Sequence, residues 1–482
     1  MSTFSGLNTA TTALWAQQRA LDVTGQNVAN VNTEGYSRQR AELRSLGGTA
    51  VPAVYAVNSN IGEGVSADKV ARIRDAFLES RAQLEHAATA SMTVADDTLA
   101  QVEQAFREPG DTGIQSQLTD MWTGWSSVHN NSTDPGARTQ VLQRTATLVA
   151  GMHQTRATLD QQWTQNYDGL GTLVQDVNAS ARSIADLNTA IKRATQAGLS
   201  TNELADKRDT LVQKLAQQVG ATSSPADDGG ITVMVGGATL VSGDSTLGLK
   251  LVGSNDPDDL GSDPPRIITD PGASVVRTGG TAEGRLTAMT STIPAYRNAI
   301  DSTARQLATE LNRAHAAGFD QNGDRGEPLL GDGSGTPPVD DGTGKLTIGP
   351  STITAANITL RISDPAKLAA AKLSKADAGG SVSADNGNAD AIYQLGLKGT
   401  GTDATYRKMV VSLGVQASTA TGRLTAQSVI SSQVDASRES SSGVNLDEEM
   451  TNMLQFQHAY AAAGKLVSVI NDTLDTLINM VR

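Results

Sequence analysis

The side chains that most often carry out chemistry in proteins are sparse in this chain. Its five histidines fall on separate segments, and no two of them have the spacing of metal ligands or of a catalytic pair. Cysteine is absent, which excludes disulfides, thiol catalysis and thiolate-bound metals. We therefore expect no catalytic residue and no cofactor, and the chain is predicted not to be an enzyme. The histidines are His86, His129, His153, His315 and His458.

One acidic segment has the alternating oxygen spacing of a calcium loop. Asp320, Asn322 and Asp324 supply the first three oxygens. The turn glycine and the bidentate glutamate are missing, because Arg325 and Gly331 stand at the sixth and twelfth positions. A turn rich in Asp and Asn is the favoured interpretation, and a weak calcium site is the alternative.

The remaining chemical patterns have simpler structural interpretations. Gly344-Lys345 lacks the hydroxyl residue of a phosphate loop, since Leu346 follows it. Paired acids in turns rich in Gly and Pro are expected to solvate loops, and tryptophans at helical spacing are expected to pack in the core. These acids and tryptophans are Asp227-Asp228, Asp258-Asp259, Asp340-Asp341, Trp122, Trp125 and Trp163.

Composition excludes several classes of partner. The net charge is -13 and no block of Lys and Arg is long enough to follow a phosphate backbone, so nucleic acid is not expected as a partner. No run of 18 apolar residues is present, and the first basic side chain is Arg19, so neither a membrane span nor a cleavable secretory signal is expected. Aromatic residues make up only 3% of the chain, which is low for an enzyme with a buried pocket.

Hydrophobic periodicity predicts long helices interrupted by β segments. Helical spacing runs over 70–106, 114–128, 135 to beyond 190, 204–215, 286–318 and 405–434. Asp134 and Pro135 have the types of an N-cap and a first helical residue, and 200–203 has the spacing of a capping box. The runs 231–235 and 238–242 flank Gly236-Gly237 and predict a hairpin; 346–348 and 358–362 are also β-prone.

These patterns predict a mainly α fold with inserted β lobes, arranged as an elongated, multi-domain bundle of long helices bracketed by coiled-coil helices at both chain ends. The length of 482 residues is enough for two to four domains. The predicted parts are terminal assembly helices with an extended arm (1–69 and 440–482), a long-helix bundle (70–217, 286–318 and 403–439), a β insertion (218–285) and a second β and loop-rich lobe (319–402).

Both chain ends carry an apolar residue every seven positions, which is the pattern of helices that pack lengthwise on other helices. The alternate layer is largely polar or small, with Gln18, Gly25, Gln457, Gly464 and Asn471. A stable pair formed by the two ends alone is therefore not expected, and both helices are predicted to need further partners. The apolar positions are Leu7, Leu14, Leu21, Val28, Leu446, Met453, Tyr460, Val467, Leu474 and Val481, with Phe4, Met450 and Ile478 in the alternate layer.

The segment 27–39 is unusually rich in asparagine. It ends the first predicted helix and leads into a polar, strand-like arm. Asparagine side chains make several hydrogen bonds each, so the segment can fix the angle between the terminal helix and the next element. An ordinary capped turn is the alternative that the residues alone leave open.

This segment resembles the N-terminal signature of bacterial flagellar rod, hook and hook-associated proteins, Asn-x-Ala-Asn-x-Asn-Thr-Pro-Gly-Tyr. Asn32, Thr33, Gly35 and Tyr36 match, and Glu34 stands where the family usually has proline. The stretches 442–449 and 454–460 resemble the C-terminal signature of the members at the hook–filament junction. The stretches 202–209, 235–243 and 312–326 support the same branch, so the resemblance covers nearly the whole chain except parts of the inserts.

The resemblance implies a structural subunit that is exported through the flagellum and polymerises at the distal end of the hook. Implied partners are further copies of the chain in a ring, the hook protein, the next hook-associated protein toward the filament, and a cytoplasmic export chaperone at the C-terminal helix. A rod or hook subunit is the nearer alternative, and a calcium-dependent extracellular adhesin or enzyme is the alternative from another class. The expected assembly interface comprises Phe4, Leu7, Leu14, Leu21, Val28, Asn30, Asn32, Gly35, Tyr36, Leu446, Met450, Met453, Tyr460, Val467, Leu474 and Ile478.

Overall fold

The computed structural model describes residues 3–46, 64–226, 229–272, 274–334, 339–340, 346–347, 352–379 and 385–480. Asp227-Asp228, Asp341, Gly344-Lys345 and Val481 lie outside the described residues. No described helix is long and apolar enough to cross a membrane.

Helices form most of the chain and include several of exceptional length. They are α1 (Thr3–Ala29), α2 (Ala76–Phe106), α3 (Ile114–Asn130), α4 (Pro135–Gln196), α5 (Asn202–Val219), α6 (Gly280–Thr287), α7 (Ile293–Ala316), α8 (Gly387–Gly396), α9 (Thr402–Ser442) and α10 (Leu446–Met480). A π-helical turn, Ala288–Thr292, joins α6 to α7. The predicted class, mainly α with inserted β lobes, is confirmed.

The strands form small antiparallel sheets. They are β1 (Gln39–Leu46), β2 (Gly64–Arg72), β3 (Thr222–Pro225), β4 (Ile231–Val235), β5 (Ala238–Ser242), β6 (Ser245–Thr246), β7 (Gly248–Val252), β8 (Arg266–Asp270), β9 (Leu330–Gly331), β10 (Val339–Asp340), β11 (Leu346–Thr347) and β12 (Thr359–Leu360). β1 pairs with β2, β3 to β6 form one four-stranded meander, and the pairs β7–β8, β9–β12 and β10–β11 complete the set.

The longest helix, α4, begins where its sequence signals predict. Asp134 accepts hydrogen bonds from the Gly136 and Ala137 amides, and Pro135 occupies the first helical turn. Its 62 residues span ~93 Å at 1.5 Å per residue. The predicted tryptophan positions are confirmed as core, because Trp122, Trp125 and Trp163 are buried along α3 and α4.

Two local predictions are wrong. Residues 70–72 continue β2, since Arg72 pairs with Gln39, so α2 begins later, after the N-cap Asp75. The predicted capping box at 200–203 does not form. Thr201 is the N-cap and makes no side-chain cap hydrogen bond, while Glu203 pairs with Lys207 along the exposed face of α5. At 70–72 the pairing with β1 replaces the predicted helix. At Glu203 the ion pair with Lys207 replaces the predicted cap.

The hairpin predicted in the β insertion is confirmed, because β4 and β5 pair antiparallel. Gly236 and Gly237 both have positive φ, 54° and 86°, and join β4 to β5. A two-residue turn of this kind needs positive φ at both positions, which glycine adopts without strain.

An ion-pair cluster fastens the β insertion to the bundle. Asp258 accepts hydrogen bonds from Arg156, at 3.1 Å, and from Arg297, and both guanidiniums also contact Asp160. Burial alone would raise the pKa of the Asp258 carboxyl, but the two guanidiniums outweigh it and hold that pKa below its ordinary value. The expectation that Asp258 merely solvates a loop is therefore wrong, because the fold brings two arginines distant in sequence to it.

His315 anchors the second lobe to the end of α7. Its Nδ1 lies 2.5 Å from the Glu327 carbonyl and therefore donates, while its Nε2 accepts the Ala369 amide at 2.8 Å. The ring is fully buried and packs edge-on against Trp125. Burial lowers the pKa of His315 to about 4, so the ring is neutral and bridges two segments of the lobe.

The His315 bridge predicts an acid-sensitive lobe. Below pH 6.5 the His315 ring binds a proton in the unfolded chain, but in the folded chain it stays neutral until pH about 4. The free energy of unfolding therefore decreases as the pH falls from 6.5 to about 4. The loss is about 3 kcal/mol, from the size of the pKa difference. We expect His315→Gln, which keeps a donor and an acceptor but does not titrate, to flatten this part of the pH dependence. Urea unfolding followed by tryptophan fluorescence from pH 7.5 to 4 measures it.

The matched control is His458→Gln, because His458 is exposed on α10. Its pH profile should follow that of the unmodified chain. An unchanged slope in His315→Gln would contradict the assignment.

Candidate assembly interface

The two ends of the chain pack against each other as an antiparallel pair. A β-carbon placed on Gly6, near the start of α1, would lie 3.5 Å from Ile470 Cδ1, near the end of α10. At the opposite end, Asn27 of α1 donates to Glu449 in the first turn of α10 at 2.9 Å. The polar alternate layer predicts that the ends do not pair on their own; the structure shows that each is the other's first partner.

The most buried row of α1 differs from the predicted heptad. It consists of small side chains, Ala10, Ala16 and Ala20, followed by Val23, Thr24 and Asn27. The predicted seam residues Leu7, Leu14, Leu21 and Val28 are half-buried beside this row. The periodicity thus locates the helix, while the buried face is turned toward the alanines. The side chain of Phe4 lies outside the described residues.

The apolar positions of α10 fall into two groups. Met453, Val467 and Leu474 are half-buried. The other predicted positions remain exposed: 46% of Leu446, 51% of Met450, 42% of Tyr460 and 62% of Ile478 is accessible. The structure therefore does not bring all predicted seam residues of α10 into one seam of this pair.

Asn27 organises the asparagine-rich segment, and only 1% of this residue is exposed. Its amide nitrogen donates to the Gln39 carbonyl and to Glu449, both at 2.9 Å. Its oxygen accepts from the Tyr36 hydroxyl at 2.8 Å and from the Gln39 amide at 3.0 Å. Because all four hydrogen-bonding positions of the amide are used, Asn27 joins α1, the turn, β1 and α10 at one point.

The residues around Asn27 shape the turn. Gly35 has φ of +78°, and a β-carbon there would lie 2.4 Å from the Thr210 hydroxyl of α5, so the turn requires glycine. Burial, followed by the charges of Asp206 and Glu449, raises the pKa of Tyr36 to about 12, so its hydroxyl remains a donor. Asn30 stays local by donating to the Gln26 carbonyl. Asn32 is exposed.

Arg38 connects this turn to two other segments, the end of α9 and the link between β2 and α2. Its amide donates to the Ser442 carbonyl at 3.0 Å, and its carbonyl accepts from the Ile73 amide at 2.8 Å. Its guanidinium contacts Glu448 and Glu449 at 2.6 and 2.7 Å. The carboxylates also lie in the first turn of α10, where helix-end amides favour negative charge.

Sequence reasoning did not single out Asn27, Arg38 or Glu449 as site residues. All three stand inside segments that the sequence does flag, Asn27 and Arg38 in the asparagine-rich segment 27–39 and Glu449 in the acidic run at the start of α10. Their importance comes from contacts across more than four hundred positions, between Asn27 or Arg38 and Glu449. Sequence spacing carries no signal for such a contact.

The predicted chemical candidates do not gather into one site among the described residues. Asp320 accepts the backbone amides of Asn322 and Asp324 at 2.8 and 2.9 Å, which is the geometry of an Asx turn. Among the residues that the structure describes, no three His, Asp or Glu side chains come together as a group that could hold a metal ion. His153 contacts the Ile358 carbonyl at 2.7 Å, and His86 contacts Asp435 at 3.0 Å.

Three family models match successive parts of the chain. Residues 99–330 match the flagellar hook-associated protein FlgK helical domain. Residues 436–480 match the flagellar basal body rod FlgEFG protein C-terminal model, and residues 7–36 match the flagella basal body rod protein model. The two terminal matches thus cover most of α1 and α10.

Two curated relatives match the chain over nearly their whole length. The flagellar hook-associated protein 1 of Bacillus subtilis (strain 168) is 29% identical over 520 residues, covering 99% of this chain and 98% of that protein. The flagellar hook-associated protein 1 of Escherichia coli (strain K12) is 27% identical, with 98% and 99% covered. A solved structure of the flagellar hook junction protein FlgK from Burkholderia pseudomallei shares the fold at a TM-score of 0.61 and 18% identity, covering 75% of this chain and 100% of that one.

The long-helix bundle and the paired chain ends define a structural subunit of the bacterial flagellum. The relatives that match are structural flagellar proteins rather than enzymes. Over nearly its full length the chain is similar to flagellar hook-associated protein 1, and its helical region matches the FlgK model.

The Asn27 cluster yields a prediction about the stability of the terminal pair. Asn27→Ala leaves the Tyr36 hydroxyl and the two Gln39 backbone groups without their partner, which costs roughly 1–3 kcal/mol for each group that stays unsatisfied. We expect α1 and the first turns of α10 to lose amide protection in hydrogen exchange, while α4 keeps it. Asn32→Ala is the control, because Asn32 is exposed in the same segment. Equal protection of α1 in the two variants would argue against a central role for Asn27.

Proposed function

We propose that this chain is the structural subunit that polymerises at the distal end of the hook and forms the hook–filament junction. The observation that carries the proposal is the state of α10. It packs on α1 along one side, yet large apolar side chains stay exposed along its length. These are Leu446, Met450, Leu454, Tyr460, Leu466, Val469 and Ile478.

Exposed apolar side chains in such number support an assembly role. Isolated exposed hydrophobic residues are ordinary, but an extended exposed set marks an interaction surface. Burying one such side chain in a neighbouring subunit contributes about 1.5–3 kcal/mol through removal of apolar surface from water. The same side chains contribute little to the fold of the single chain, so their exposure is explained by partners outside it.

The partners follow from the family. The subunit interacts with other components of the flagellar hook. Within the proposal, copies of the chain form a closed ring, the hook protein contacts one side of that ring, and the next hook-associated protein contacts the other. A cytoplasmic export chaperone covers α10 before export, which suits a helix whose apolar side chains are exposed in the monomer. The assembled protein lies outside the cell as part of the flagellum.

The interface residues are part of the proposal. The half-buried and exposed positions named from the sequence on α1 and α10 contact neighbouring subunits. In the turn that follows α1, Asn30 and Tyr36 make hydrogen bonds and Gly35 has positive φ, while Asn32 is exposed and, within the proposal, faces a neighbouring subunit. The exposed members are the best probes, because changing them leaves the packing of the single chain intact.

Met450→Lys tests the assembly surface directly. Half of Met450 is already accessible to water, so the charge does not disturb the folded monomer. In a subunit interface the same charge would be buried without a counter-ion, at a cost of several kcal/mol. We expect the variant to be folded by circular dichroism and exported, yet absent from hook–filament junctions and unable to restore motility in a strain that lacks the protein.

Val275→Lys is the matched control, because Val275 is similarly exposed but lies in the β insertion. This variant should assemble and restore motility. Normal junctions with Met450→Lys would refute the α10 surface, and normal filaments without the chain at the hook end would refute the proposed location, as judged by immunogold electron microscopy.

A further inference from the structure

The outward side of α9 carries a line of small, uncharged side chains. We call Val411, Val415, Ser418, Gly422, Thr425 and Val429 the α9 outer face; they follow one another at alternating steps of four and three residues, and all are exposed. The three valines are 65, 61 and 66% exposed. They lie along ~27 Å of helix at 1.5 Å per residue. Single exposed valines are ordinary, but valines in one line on a helix mark a surface for another helix.

Gly422 lies in the middle of this face without a reason in the fold of the single chain. A β-carbon placed on it would meet nothing within 4 Å outside its own helix, so the surroundings leave room for a side chain there. Glycine inside a helix also weakens that helix relative to alanine. Its position is explained if a second helix approaches the backbone of α9 closely at this point.

A second, largely uncharged face runs along α4. We call Ala157, Gln161, Thr164, Asp168, Thr172 and Gln175 the α4 outer face, and all six are exposed. Between 139 and 175, Asp168 is the only charged residue that is exposed. Arg423 has the same position on α9, as the only charged residue that is exposed between 409 and 434.

The two lone charges are opposite in sign and both are free. Among the described residues, neither Arg423 nor Asp168 makes an ion pair. If the two faces met, a register that brings these charges together would pair both, whereas any other register would leave both unpaired in the contact. Opposite charges on otherwise uncharged faces therefore select one register.

The helix α2 runs antiparallel to α9. Glu79, near the start of α2, contacts Arg438 at 3.1 Å, and farther along α2 the Asp96 carboxylate accepts from the Thr421 hydroxyl at 2.6 Å. The α9 outer face lies on the side of α9 that is turned away from α2. This face is therefore open to a neighbouring molecule.

The helix α2 runs antiparallel to α4 as well. The Gln101 carbonyl accepts from Gln162 at 2.8 Å, and the Ala105 carbonyl accepts from Thr155 at 3.4 Å. Hence α4 and α9 run in the same direction, with α2 between them. Copies arranged around one axis keep the same orientation, so α9 of one copy meets α4 of the next as a parallel helix.

We propose that the α9 outer face of one copy packs on the α4 outer face of the next, with Arg423 paired to Asp168 across the contact. The occupant, a second copy of this chain, rests on the proposed function. Because the contact joins two different surfaces, it repeats from copy to copy and closes into a ring. Only three large apolar side chains contribute from α9, so the contact forms between copies at high local concentration rather than as a stable pair in dilute solution.

Disulfide trapping measures this contact, because the chain has no cysteine of its own. In the proposed register, Val429 of one copy lies beside Gln175 of the next, each within two helical turns beyond the charge pair. Purified Val429→Cys and Gln175→Cys chains are mixed at high concentration with a mild oxidant. We expect the mixed dimer to form about ten-fold faster than in the control mixture, because a disulfide requires Cβ atoms within about 4.5 Å.

The control mixture pairs Val429→Cys with Gln154→Cys. Gln154 is exposed on the same side of α4 as Gln175 but lies ~32 Å along the helix from it at 1.5 Å per residue. The two mixtures therefore differ in register and not in the chemistry or exposure of the cysteine.

A charge exchange tests the pair of Arg423 and Asp168. Arg423→Glu, added to the Val429→Cys chain, should lower the trapping rate to that of the control mixture. Asp168→Arg, added to the Gln175→Cys chain, should restore the rate, because the two charges are again opposite. Both positions are exposed, so each variant should stay folded by circular dichroism, and damage to one chain would not be repaired by a change in the other.

Equal rates with Gln175→Cys and Gln154→Cys would overturn the contact, and so would a rate that Asp168→Arg fails to restore. Fast dimers of Val429→Cys alone would also overturn it, because α9 would then face α9. All rates are measured on purified protein. A failure here therefore leaves the location at the hook untouched, and absence of the chain from the hook would leave the trapping rates unchanged.

Discussion

The buried amide of Asn27 is the constraint on which the arrangement of the chain ends depends. It binds the turn, the first strand and the opening of α10 with its four hydrogen-bonding positions. A buried amide tolerates few other environments, because each group left without a partner costs roughly 1–3 kcal/mol, more than the ~1 kcal/mol that one hydrogen bond contributes on balance. The two ends, separated by almost the entire sequence, are therefore held in one register by polar geometry rather than by apolar area.

Polar contacts also decide how the parts are joined. Asp258 ties the β insertion to α4 and α7 through two arginines, and His315 ties the second lobe to α7 through a neutral ring. In each of these places a directional contact adds to an apolar core that already includes side chains of both lobes. The bundle and its inserted lobes share one apolar interior, whereas the buried apolar residues of α1 lie outside that cluster.

Much of the fold is readable from the sequence because its signals are local. The 3.6-residue period and the Asp134-Pro135 start predict α4, and Gly236-Gly237 predicts the β4–β5 hairpin. The site is only partly readable. The asparagine run marks the turn, but the partner of Asn27 is Glu449, and Asp209 finds Arg72 and Arg74 only when α5 meets β2. Spacing along the chain contains no information on such pairs. The capping box at 200–203 has the right spacing but does not form, and Asn202 in the same segment instead donates to the distant Val70 carbonyl.

The heptad pattern correctly predicts a long terminal helix, but it does not tell which side chains form the buried face of that helix. Leucines every seven residues predict an assembling helix, and the natural assumption is that they fill its innermost seam. The structure fills the most buried row of α1 with alanines instead, which allow two helix axes to approach closely. Small residues inside and large apolar residues half-buried or exposed outside are a poor design for an isolated helical pair. They suit a pair whose remaining apolar surface is covered by partners, which is what the proposed assembly at the hook–filament junction requires.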